Sequence, residues 1–274
     1  MSETEKQEAK LQRLQRKNNE LSIALHIAQE REKKLLRVTD QLYKAASTAL
    51  DRSAREVQAE FEGITFVIAV YNIPRQLKRT LASCSPDYQG IASDQLEVIV
   101  VDNGSGVPLN RDELSEFPWV SRVIRVDNKP SPVHGLNLGI EAARFPLIAI
   151  MIDGAHMLTP GICRLSHSLL AITPRPVINI PQYMLGDISQ AIRQSDEDPF
   201  ATEERCLREI DWPNNGYALF DHCTIPGEDL LKHAFEAGES NCLITTREVL
   251  DDCGGYDERF DEAGAGLANI EIFE

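Results

Sequence analysis

Two apolar runs, ITFVIAVYN from Ile64 to Asn72 and LEVIVVDNGS from Leu96 to Ser105, constrain the fold of this chain more than any other feature. Each is almost uninterrupted and stops at a polar turn. Runs of this length, rich in Val and Ile and closed by turn residues, predict strands buried on both faces. A helical stretch, Arg75 to Ser83, lies between them, so the pair forms a βαβ unit within a parallel sheet. In open α/β sheets ligands bind outside the carboxyl ends of the strands. The site is therefore expected at Tyr71 and Asn72, and at Asp102, Asn103, Gly104 and Ser105.

The remaining elements follow from the same signals. Gly63 punctuates the chain before the first strand, and Ser85 to Asp94 reads as loop. A short helix is expected over Arg111–Glu116, a third strand over Trp119–Val126, and a helix over Gly135–Arg144. Leu147 to Ile152 reads as a fourth buried strand ending at Asp153. A helix over Ile162–Leu170 and a strand over Val177–Ile180 come next. From Gln182 to Asp221 the pattern is acidic, Pro-interrupted and poorly periodic, and its length predicts a functional insertion or lid. A strand over Asn241–Thr246, a helix over Arg247–Cys253 and a Gly-rich loop complete the order. The last residues read as a helix without a cap, which suggests a chain cut from a longer one.

Residues 4 to about 58 differ from all of this: they hold no Gly or Pro and are rich in Lys, Glu, Gln, Arg, Leu and Ala, a helix-forming composition. With Leu11 at heptad position a, the d seam reads Leu14, Leu21, Ala28, Leu35, Leu42 and Ala49. The a seam (Leu11, Asn18, Leu25, Glu32, Thr39, Ala46) weakens after Leu25. A coiled coil that joins copies of the chain into a homo-oligomer is favoured, with Asn18 fixing register. The alternative is a long amphipathic helix lying on its own domain or on a partner. The expected domains are thus a helical segment at 1–60 and an α/β domain at 61–274.

Charge separates the same two parts. Residues 1–60 carry 12 Lys+Arg against 10 Asp+Glu, whereas the rest carries 16 against 33, a balance of −17. So acidic a domain is a poor grip for a nucleic-acid backbone. No apolar stretch approaches the roughly 18–20 residues that span a bilayer. The N-terminus is too charged for a secretion signal. The six cysteines include no C-x-x-C pair, which argues for reduced thiols and a cytoplasmic setting, peripheral at most to a membrane-bound assembly.

Six motifs in order, from residue 63 to 274, carry a resemblance. They are VYN at 70–72, VDNGS at 101–105, NLG at 137–139, IDGAHMLTPG at 152–161, TTREVLDDCGGYDERF at 245–260 and AGLANIEIF at 265–273. Each is weak alone; the ordered set is specific. Together they resemble the family 2 glycosyltransferases. The resemblance implies an α/β, GT-A fold: a mixed, largely parallel Rossmann-like sheet flanked by helices, here preceded by a long N-terminal α-helix.

The same resemblance implies a nucleotide-sugar donor held by Val70, Tyr71, Asn72, Asp102, Asn103, Asn137, Asp153 and Gly154. Asp102 would accept a hydrogen bond from a uracil-type base; the competing reading is an Asp that caps its own turn. Asp153 would bring a divalent cation, Mn²⁺ or Mg²⁺, to the diphosphate. Two positions depart from the family pattern. The second metal-motif Asp falls at Ala155, which leaves His156 as an imidazole ligand or as a mere hydrogen-bond donor. The usual catalytic Asp falls at Asn269, which takes no proton at neutral pH. Glu262, Asp261 and Glu271 are the substitute bases, Glu262 first because it sits on the Gly-rich loop.

The function implied is inverting transfer of a sugar, from a UDP-type donor, to the hydroxyl of a glycan, lipid-linked or protein acceptor. Trp212 and Tyr217 are candidates to stack on a sugar, though such aromatics more often belong to a core. The alternative is a non-catalytic module of the same fold that binds nucleotide or glycan and is organised by the coiled coil. A dinucleotide-binding domain is disfavoured because no G-x-G-x-x-G follows the first strand.

Overall fold

The computed structural model describes residues 17, 62–127, 129–185, 199–224, 242–263, 268 and 272. The chain divides into two units, Met1–Val57 and Gln58–Glu274. The expected N-terminal coiled coil lies outside the described residues, as do Asn269 and Glu271.

The second unit is built on a six-stranded sheet of order β3-β2-β1-β4-β8-β5. Its strands are β1 (Ile64–Val70), β2 (Leu96–Asp102), β3 (Val120–Arg125), β4 (Leu147–Met151), β5 (Val177–Ile180) and β8 (Cys242–Thr246). β1 runs parallel to both β2 and β4, with Ile64 opposite Leu96 and Leu147. β3 is parallel to β2. β8 is antiparallel to β4 and to β5, which makes the sheet mixed. Two further short strands, β6 (Met184–Leu185) and β7 (Cys223–Thr224), pair separately.

The central apolar runs are continuous because both faces of the sheet are covered. Alternate residues point to opposite faces. Ile64, Phe66, Ile68 and Val70 of β1 meet Leu77 and Leu81 of α1 (Pro74–Ser83) and Ile162 and Cys163 of α4 (Ile162–Leu170). Val67 and Ala69 face the other way, toward Val133, Leu136 and Ile140 of α3 (Val133–Ala142) and Leu250 of α6 (Arg247–Cys253). α3 comes unusually close to the sheet. A Cβ on Gly135 would stand 2.5 Å from Val101 Cγ1, and one on Gly139 would stand 2.4 Å from Val67 Cγ1. The Asn-x-Gly helix thus uses glycine for backbone approach.

Two expectations are corrected. Ser85–Asp94 is not plain loop: it holds α2 (Pro86–Gln89) and a 3-10 turn at Ser93–Gln95. Ser85 accepts from the Tyr88 amide, Pro86 opens the turn, and left-handed Gly90 closes it, all within a span too short to display a helical period. Arg111–Glu116 is a 3-10 helix at Arg111–Leu114 only. Within Gln182–Asp221 the described part is folded, with α5 (Pro199–Glu209) and a 3-10 helix at Gly216–His222. Leu207, Ile210 and Leu219 form its own small cluster, joined by Met157 and Leu185.

Candidate functional site

The parallel strands bring three loops to one edge of the sheet. At the end of β1, Asn72 adopts a left-handed conformation, φ 57°, which Asn tolerates better than most residues. Its amide donates to Ser105 Oγ at 3.0 Å, and its Oδ1 accepts from the Gly106 amide at 2.9 Å. The Asn103 amide donates to Val70 O at 2.9 Å. These bonds lock the turns after β1 and β2 together. The Tyr71 side chain projects from this junction, 60% exposed.

Asp102 is fully buried, and its carboxylate is occupied. Oδ1 accepts from the Ser105 amide at 2.9 Å, while Oδ2 accepts from the Leu109 amide at 2.9 Å and Arg125 Nη1 at 2.7 Å. Burial alone would raise its pKa. The hydrogen bonds from the Leu109 amide, the Ser105 hydroxyl and amide, and Arg125 outweigh burial and hold it below the ordinary carboxylate value. Its neighbour differs. Asn103 is 6% exposed, its Nδ2 donates to Lys129 O at 3.1 Å, and its Oδ1 has no partner among the described residues. A buried, unpaired carbonyl oxygen is costly, and here it sits at a strand end where a ligand is expected.

At the end of β4 the turn carrying Asp153 is held from below by three fully buried polar side chains. Thr80 Oγ1 donates to Gly154 O at 2.6 Å, and Ser83 Oγ accepts from the Leu158 amide at 3.0 Å. Gln89 donates to Thr159 O at 3.1 Å and accepts from the Cys163 amide at 3.2 Å. Gly154 is required by space, since a Cβ there would stand 2.6 Å from Val70 Cγ1. Asp153 itself is exposed, with Oδ1 accepting from the Ala155 amide at 3.0 Å. The scaffold residues Thr80, Ser83 and Gln89 escaped the sequence reading because single polar residues in helices carry no motif.

Asp153 and His156 line one pocket of about 630 Å³. Glu203 and Arg79 line it too, paired at 2.6 Å and partly shielded from solvent. Asp261 and Glu262 are exposed on the loop after α6 and are not among its walls. Among the described residues no three His, Cys, Asp or Glu side chains gather as a metal site. Asp153 and His156, the two ligands expected from the sequence, line the same pocket.

Asn137 is engaged elsewhere. Its Nδ2 donates to Tyr256 O at 2.9 Å and its Oδ1 accepts from the Tyr256 amide at 3.0 Å. With the 2.9 Å contact of His134 Nδ1 and Glu258, it pins the Gly-Gly-Tyr loop to α3. Trp212 donates to the Tyr88 hydroxyl at 3.1 Å and packs edge-on against its ring. Tyr217 donates to Pro160 O at 2.8 Å.

No curated protein sequence matches the chain significantly. Among solved structures, S. aureus TarS 1–349 aligns with a TM-score of 0.51 at 16% identity, over 77% of this chain and 55% of that one. The structure of S. aureus TarS gives the same score and identity over 33% of its length. TarS 1–349 in complex with UDP gives 0.50. The chain thus spans about half of TarS 1–349 and shares its fold, the mixed sheet of the GT-A type. From β1 to the Asp153 turn, residues 65–154, the sequence matches the family described as Glycosyl transferase family 2.

Proposed function

We propose that the chain transfers a sugar from a uridine-diphosphate sugar to an acceptor hydroxyl, with inversion at the anomeric carbon. One observation carries the reading: along one edge the unpaired Asn103 Oδ1 lies at the end of β2, the exposed Tyr71 at the end of β1, and Asp153 just beyond β4, on the turn that Thr80 anchors through Gly154 O. Base, ribose and diphosphate of a nucleotide span such a row in sequence. Asn103, whose buried Oδ1 lacks a partner among the described residues, rather than the saturated Asp102, then turns its side chain to accept the uracil N–H, and Tyr71 offers its ring to the base. The UDP bound by TarS 1–349 accords with this choice.

Asp153, with His156, would hold Mn²⁺ or Mg²⁺, which neutralises charge on the departing diphosphate. The protein's own work is positional. The acceptor oxygen bonds to the anomeric carbon as the bond to the diphosphate oxygen breaks, and a carboxylate takes the hydroxyl proton. Glu203 is a further carboxylate lining the pocket that Asp153 lines; its rivals are Glu262 and Asp261, from the loop beyond α6, and Glu271. The non-catalytic alternative draws on Ala155 and Asn269, where carboxylates are expected.

Calorimetry with UDP, GDP, CMP and dTDP, each with and without Mn²⁺, tests the reading. UDP is expected to bind best, more tightly with Mn²⁺, and about tenfold more weakly to Asn103→Leu, which removes one buried hydrogen bond. Binding of none of the four by folded protein would leave the non-catalytic module.

We also propose residues 1–60 as a separate helical segment that joins copies of the chain, beside a transferase unit at 61–274 in a reducing compartment. All six cysteines are free, and among the described residues no helix is long and apolar enough to cross a membrane. Sedimentation of the full chain should give an oligomer, and Leu14→Lys with Leu21→Lys should give a monomer. An unchanged mass would sink the coiled-coil pairing.

A further inference from the structure

The pocket beside Asp153 extends away from the nucleotide side. Along this edge the strands run β2, β1, β4, β8, β5. Asn103 follows β2, Tyr71 and Asn72 follow β1, and Asp153 lies just beyond β4. The pocket then continues over Cys242, which opens β8, and Ile180, which closes β5 opposite it. Its near rim is polar, with Asp153, His156 and the Arg79–Glu203 pair. The rest of its lining is mostly apolar, with Ile180, Leu185, Leu219, Tyr183 and Phe220, and Gln182 among them. Tyr183 and Phe220 stand edge to face with centroids 5.1 Å apart, yet remain 40% and 47% exposed. They come from separate segments that the β6–β7 pairing holds side by side, Leu185 opposite Cys223.

Large exposed aromatics inside a concave site signal a ligand rather than a packing remnant. The volume, about 630 Å³, is that of a small-molecule site. A bare oligosaccharide can stack only its C–H faces on the two rings, and the hydroxyls at its ring edges would be left unpaired against Ile180, Leu185 and Leu219. We propose that the acceptor is a hydroxyl compound bearing an apolar aglycone, which seats against Tyr183, Phe220 and Leu185 while its hydroxyl faces Asp153. This assignment rests on the transferase reading.

The test titrates the full chain, with and without UDP, with glucose, hexyl, octyl and decyl β-D-glucoside, and phenyl β-D-glucoside, all below their micelle concentrations. Affinity is expected to rise by up to about fourfold per added methylene, the yield of burying each in an apolar wall. A gain confined to the phenyl compound would identify an aryl aglycone; a rising alkyl ladder identifies an aliphatic one. Phe220→Asp and Tyr183→Ser alter exposed positions, so the fold should persist by circular dichroism. Each should weaken octyl glucoside at least tenfold and leave UDP affinity unchanged. Equal binding of glucose and its alkyl and aryl glucosides, or a ladder that survives both variants, overturns the proposal. UDP binding without a ladder defeats this inference alone. A ladder without nucleotide binding defeats the transferase reading, and the acceptor assignment with it.

Discussion

Asp102→Ala is expected to lower folding stability by about 3 kcal/mol and to abolish nucleotide binding at the same stroke. Removing one member of a buried ion pair leaves the other without its counter-charge and costs about 3–5 kcal/mol. The low end applies here because Arg125 is 30% exposed and retains Asp127. The Ser105 and Leu109 amides lose their acceptor as well, so the loop that positions Asn103 loosens. Against a total of about 5–15 kcal/mol for a domain, the loss should be plain in a urea midpoint at pH 7. The effect has a pH signature. The carboxyl pKa is depressed in the folded state relative to its ordinary value of 3.8. Its stabilisation is therefore complete above about pH 4 and is lost as pH falls through the folded value. Wild type and Asp102→Asn should differ most at neutral pH and converge below that window. A urea midpoint unchanged in Asp102→Ala would show that the loop does not depend on the pair.

The core of the fold was legible because burial on two faces leaves a continuous apolar trace. β1, β2 and β4 stand where the Val- and Ile-rich runs lie, and the first strand stops at Val70, two residues before the run does. Tyr71 and Asn72 leave the ladder because the chain turns there, with Asn72 at positive φ. The strand order was not legible. Placing β4 beside β1, and β8 antiparallel beside β4, depends on pairing between distant segments that no local pattern encodes. α5 was missed for a related reason. Its inward residues are few, Cys206 and Leu207 among them, and it packs on a small local cluster rather than on the sheet.

In the site, the strand-end turns that carry the motifs were legible, and the hydrogen-bond partners of their side chains were not. VDNGS points to a strand-end turn, but only the geometry separates the acid from the amide within it: the Asp102 carboxylate is occupied by its own loop, whereas the Asn103 Oδ1 is buried without a partner among the described residues. Asn137 looks like a ligand residue in sequence, whereas its amide is paired with the Tyr256 backbone. Glu203 gave no signal at all, being one acid among several on a surface helix. It faces the Asp153 pocket only because α5 folds back to meet Arg79 of α1. Long-range placement of this kind is the part of a site that spacing along the chain does not contain.

Asp153→Ala is expected to reduce sugar transfer by at least about 10²–10³-fold, the cost of removing one group that stabilises charge developing on a leaving group. The exposure of Asp153 means that the fold should hold, so the loss is chemical. UDP should still bind, through Asn103 and Tyr71, but Mn²⁺ should no longer tighten it. Residual turnover equal to wild type would remove Asp153 from the chemistry and, with it, the role assigned to the cation. His156→Ala separates the two readings of its imidazole: as a ligand it favours Mn²⁺ over Mg²⁺, so its loss should narrow the difference between the two metals. The base is resolved by the same assay applied to Glu203→Gln, Asp261→Asn, Glu262→Gln and Glu271→Gln. The residue that takes the acceptor proton should lose kcat by about 10²–10⁴-fold with UDP affinity intact, since its contribution arises only as the acceptor oxygen attacks. If Glu203 is that residue, proton acceptance and leaving-group stabilisation meet at one rim of the pocket, and the loop beyond α6 is left to shape the sugar.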